Sequence, residues 1–96
     1  MPSIALTDKA NSDLEAIHEH YTSCRGAGFA DDLIAQIFEA LEKLKTFTGM
    51  GRPSQMPDIR ELVLSRLPFI APYRVVGSQI QILRILHERN ERSEDW

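Results

Sequence analysis

The feature that most constrains this chain is residues 59–87, IRELVLSRLPFIAPYRVVGSQIQILRILH, which are dense in β-branched and aromatic side chains. They predict three consecutive β-strands, the last two joined at Gly77-Ser78. Glycine in the first turn position favours a two-residue type II′ turn, which sets Val76 opposite Gln79. Counting from that pair, one face carries Phe69, Tyr73, Val75, Ile80, Ile82 and Leu86, with Ala71 and Arg84 among them. This is the expected core face, and an arginine on it needs a carboxylate partner or an edge position. The other face carries Ile70, Pro72, Arg74, Gln81, Leu83, Ile85 and His87. It holds too many apolar groups to meet water alone. Either a partner segment lies across it or the chain's own tail covers it.

What precedes these strands reads as helical cover. Ser3–Leu6 is a short apolar stretch and predicts an edge strand. Thr7-Asp8 supplies a helix N-cap and a carboxylate for the helix dipole. Ala10, Leu14, Ile17 and Tyr21 follow at helical spacing, with Asp13, Glu15 and Glu19 on the opposite side. Arg25-Gly26-Ala27-Gly28 reads as a tight link. A second helix carries Leu33, Ile34, Ile37, Phe38, Leu41 and Leu44 on one stripe, with Asp31 and Asp32 in its first turn and Lys43 and Lys45 in its last. The expected fold is α+β in the order β-α-α-β-β-β: an N-terminal strand and an α-helical hairpin packed on one face of a small antiparallel β-sheet. Residues 1–96 form one domain in this reading. Residues 48–58, broken by Gly49, Gly51, Pro53 and Pro57, read as a connector; they lack the Lys-Ser/Thr ending of a phosphate loop.

Composition narrows the function classes. A formal net charge of −3 argues against bulk binding of nucleic acid, where a basic surface does most of the work. After Lys45 every basic residue is arginine, the side chain better suited to bidentate contacts with carboxylates. The single cysteine, Cys24, has no obvious base nearby and reads as an incidental thiol. No apolar run reaches the length of a membrane span and no signal peptide is recognisable, so a cytoplasmic location is expected. Glu88, Glu91, Glu94 and Asp95 form a charged tail without clustered histidine, so neither a metal site nor a cofactor is expected.

Four stretches taken together resemble a known family: TDKANSDLEAIHEHY (7–21), GRPS (51–54), IRELVLSRLPFIAPYRV (59–75) and ILRILHERN (82–90). In this order they are similar to the ParE branch of the ParE/RelE toxins of bacterial type II toxin–antitoxin systems. The resemblance spans nearly the whole chain and implies the same fold. It also implies a toxin bound by a cognate antitoxin, whose flexible C-terminal segment wraps it and folds on contact, giving a hetero-oligomer. ParE-like members act on DNA gyrase; RelE-like members cut messenger RNA on the ribosome.

Ribosome-dependent cleavage needs a proton carrier and cations for the phosphate. His87 is the candidate carrier. By the strand count its neighbours across the hairpin are Pro68 and Ile70, and cleaving relatives carry arginine at the position matching Ile70. The expectation is therefore a gyrase inhibitor that acts by binding, with no catalytic residue and no direct nucleic-acid contact; the alternatives are a ribonuclease using His87, or a non-toxic member that only binds antitoxin. The residues expected to meet partners are Arg60, Arg66, Ile70, Arg74, Leu83, Ile85, His87 and Arg89.

Overall fold

Thr7 marks the first change of structure along the chain. Its side chain accepts the Ala10 N–H at 3.1 Å and so caps the helix that follows. The computed structural model describes residues 3–54, 56–64 and 66–87. Strand β1 (Ser3–Leu6) precedes Thr7, and helix α1 (Asp8–Arg25) follows it. Gly26 alone, at φ 93°, links α1 to α2 (Ala27–Glu42), which ends in a 3₁₀ turn, Lys43–Lys45. Because α2 starts so early, Asp31 and Asp32 lie beyond its first turn. Asp31 Oδ1 instead sits 2.7 Å from His18 Nε2 and bridges the two helices.

The remaining elements are strands β2 (Arg52–Pro53), β3 (Arg60–Val63), β4 (Phe69–Val76), β5 (Gln79–Ile82) and β6 (Leu86–His87). They form one sheet in the order β1-β5-β4-β3-β2, with β6 also on β4. The sheet is mixed, because β1 runs parallel to β5, with Ile4 beside Ile80 and Leu6 beside Ile82. The sequence gives no register for a strand that returns through a helical hairpin, and so it did not specify this parallel pairing. Gly77 has φ 61° and Val76 faces Gln79, as the type II′ turn requires.

The helices cover one face. Leu14, Leu33, Ile37, Leu41 and Leu44 pack against Leu62, Leu64, Phe69, Ala71, Tyr73, Ile80 and Ile82. Each fully buried aliphatic side chain among them contributes about 1.5–3 kcal/mol. Phe38, expected on the stripe, is exposed, and so is Val75. Val75 keeps its place opposite Ile80, but β3 begins only opposite Tyr73, so among the described residues no strand shields Val75 on that side.

Tyr73 ties the connector to this core. Its hydroxyl donates to Thr48 O at 2.7 Å and accepts the Gly51 N–H at 2.9 Å. A Cβ at Gly51 would lie 2.6 Å from the Tyr73 ring and 3.0 Å from Glu61 O. Glycine is required there for close approach, not for turn geometry. Gly51→Ala is expected to destabilise the fold by about 1–3 kcal/mol through overpacking. Thermal denaturation followed by circular dichroism measures this as a lowered midpoint.

Candidate functional site

The ladder between β4 and the strand after the turn breaks at Pro72. Leu83 N–H donates to Pro72 O at 2.8 Å, but proline has no N–H to return to Leu83 O. Thr7 Oγ1 donates to Leu83 O instead, at 2.8 Å. Beyond this point the register slips. Tyr73 faces Ile82, whereas Ile70 faces Leu86 and Phe69 faces His87. Three residues, Leu83, Arg84 and Ile85, oppose two, Ala71 and Pro72. This is a β-bulge, and it exchanges the faces of everything after it.

Helix α1 holds the bulge. Asp13 accepts from Arg84 Nε at 2.7 Å, from Arg84 Nη2 at 3.0 Å and from the Ile85 N–H at 3.0 Å. Arg84 thus has the carboxylate its position calls for. The spacing had placed Asp13 on the solvent side. It lies one turn before Ile17, on the flank of the apolar stripe, and reaches the sheet from there.

Between α1 and β6 lies a groove of about 350 Å³, lined by Ile17, His20, Tyr21, Phe69, Leu86 and His87 among others. Its aromatic rings touch in sequence: Tyr21 to Phe69 at 6.5 Å between centroids, and Phe69 to His87 at 5.6 Å, both edge-on. Arg84 is the arginine in the lining, and Asp13 engages it.

The residues expected to meet partners do not share one surface. Ile85 and His87 were placed on the uncovered face; the bulge turns both to the helix side. Ile85 joins the core, and His87 meets Phe69, not Pro68 and Ile70. Ile70, Leu83 and Ile85 are 4, 6 and 2% exposed, which leaves little for a partner to cover. Ile70 sits between Val63 and Leu86 in register. Arg60 and Arg74 line a second groove, of about 340 Å³, at the far end of β4. Arg66 is exposed, at φ 68°. Arg89 lies outside the described residues.

The family model for the ParE toxin of the type II toxin–antitoxin system parDE matches residues 4–92. This chain belongs to the ParE toxin family. A solved structure described as the chromosomal ParDE TA system from P. aeruginosa is 44% identical in sequence, with a TM-score of 0.83 over 91% of this chain and 96% of that one. "Putative toxin Y4kP" of Sinorhizobium fredii (strain NBRC 101917 / NGR234) is 34% identical over 59 residues. That match covers 62% of this chain and spans 60% of the relative's length.

Within this ParE-family chain, strand counting missed the α1 side of the groove, Ile17, His20 and Tyr21. Two signals pointed toward it: a proline inside a central strand, which argues for a broken ladder, and an arginine on a core face. Among the described residues no helix is long and apolar enough to cross a membrane. Asp13→Ala is expected to cost about 2–4 kcal/mol, because it strands both the guanidinium and the Ile85 N–H. Arg84→Met, which keeps Asp13 for the Ile85 N–H, is expected to cost less. Denaturant unfolding of the two variants tests this ordering.

Proposed function

We propose that this chain is the toxin of a type II toxin–antitoxin pair, that it inhibits DNA gyrase by binding, and that a cognate antitoxin neutralises it in the cytoplasm. The observation that carries this reading is the ParE family match over residues 4–92, together with the solved ParDE neighbour at 44% identity. The groove between α1 and β6 supports it. Its walls mix apolar and aromatic side chains with two histidines, and Arg84 in its lining is engaged by Asp13 and so is not free to clamp a phosphate. Such a groove fits an amphipathic segment of a protein better than a polynucleotide. The flexible tail of the antitoxin is the segment assigned to it.

Induction of the chain alone is expected to arrest bacterial growth, and the purified protein to block supercoiling by gyrase. Intact supercoiling at toxin excess counts against the gyrase assignment. Ile17→Arg, which places a charge in the half-buried α1 wall of the groove, is expected to weaken antitoxin binding by at least about tenfold, or 1.4 kcal/mol, by calorimetry.

One observation favours a second reading, ribosome-dependent cleavage of messenger RNA. His87 shares its groove with His20 and Tyr21, so proton-transfer groups are gathered there. In the gyrase reading His87→Ala keeps growth arrest; in the ribonuclease reading the same variant abolishes both arrest and message cleavage.

A further inference from the structure

The second groove lies where a strand of the sheet is missing. Successive β4 residues aim their backbone groups to alternate sides. Leu83 N–H reaches Pro72 O, so Pro72, Arg74 and Val76 face β5. Leu64 N–H reaches Phe69 O, so Phe69, Ala71, Tyr73 and Val75 face β3. β3 starts at Arg60, opposite Tyr73, and the chain before it turns away, with Ile59 bonded to Met56 and Ser54. Among the described residues no hydrogen bond reaches the outward N–H and C=O of Val75. They open into the groove lined by Pro57, Asp58, Arg60, Arg74, Val75 and Val76.

The charges there are equally unfinished. Arg60 Nη1 donates to Gly51 O at 2.9 Å, and Arg74 Nε to Gln81 Oε1 at 2.8 Å. Both partners are neutral, and neither guanidinium meets a carboxylate among the described residues. The groove thus offers two cations against one acid, Asp58, beside an unused donor and acceptor and two exposed valines. A phosphate backbone matches the cations and the Val75 N–H, but its phosphates carry no donor for the Val75 C=O. An extended protein segment bearing a carboxylate matches all of these features.

We propose that this edge groove receives an extended acidic segment of the protein the toxin acts on, and that the antitoxin groove at the other end of β4 is a separate surface. The segment bonds to Val75 N–H and C=O and sets its carboxylate against Arg60 and Arg74. This inference rests on the toxin reading above.

Two kinds of variant test it. Val75→Pro blocks the edge without removing a bond to β5, since the Val75 N–H faces outward. Arg74→Glu reverses the charge at an exposed position, and Arg60→Glu does so while releasing Gly51 O, so each variant is first checked for folding by circular dichroism. Each is read by growth arrest at matched expression, by inhibition of purified gyrase, and by calorimetric affinity for the cognate antitoxin. The expected result is a loss of toxic potency of at least about tenfold, with antitoxin affinity held within about threefold. Full potency in the folded charge variants overturns the proposal. So does a parallel loss of antitoxin affinity, which would give the groove to the antitoxin. A wild-type dimer dissolved by Val75→Pro would give it to a second copy of the chain. Retention on single-stranded RNA abolished by Arg74→Glu would give it to nucleic acid. A wild-type chain that neither arrests growth nor inhibits gyrase refutes the toxin reading itself, a result distinct from any of these.

Discussion

The groove beside His87 depends on one carboxylate. Asp13 accepts three hydrogen bonds, two from the Arg84 guanidinium and one from the Ile85 N–H. A half-buried ion pair by itself is weak evidence for stability, because desolvation offsets much of the attraction. The backbone bond changes the balance. A bulged residue has no ladder partner, and an unsatisfied N–H beside the core costs free energy comparable to a lost hydrogen bond. An apolar residue at position 13 would fill space but leave that group unmet. Asp13 therefore fixes α1 against the bulge and, with it, the width of the groove between Tyr21 and His87.

The same helix takes up the other group that the broken ladder releases. Pro72 cannot donate, so Leu83 O turns to Thr7, the residue that also caps α1. Two positions six residues apart on the α1 segment thus absorb the polar groups freed over Leu83–Ile85. The irregular stretch is held by side chains of one rigid element. Its geometry is fixed even though its backbone follows no regular pattern.

The parts of this fold legible in the sequence were those governed by local periodicity. The turn at Gly77, the Val76–Gln79 register, the Thr7 cap, the buried stripe of α2 and the need of Arg84 for an acid follow from spacing and elementary chemistry. Alternation carries no memory of an inserted residue, however, so the faces it assigns to Ile85 and His87 are the reverse of those found. Counting also shows which face Ile70 is on but not that it is buried there, at 4% exposed. Pro72 was the available warning. The pairing of β1 with β5 had no such signal, since it is set by how far the helical hairpin carries the chain. Of the candidate site residues, Arg60 and Arg74 do converge in one groove, and they lie before the bulge.

This division has a consequence for recognition. At the His87 end, packed rings and the Asp13 clamp present a preformed groove, so the ordering cost of association falls on whatever enters it. A flexible segment that folds on contact bears such a cost and gains in return a large buried apolar area. At the Val75 end the sheet supplies directional backbone groups and two arginines, but little enclosed apolar surface. Directional groups discriminate sharply between partners while adding modest net affinity, because each new hydrogen bond replaces one to water. One strand thus carries at its two ends an enclosed groove walled by packed rings and an open edge of unpaired backbone groups beside two arginines. The bulge between them lets both exist, because it turns His87 toward α1 without altering the register at Arg74.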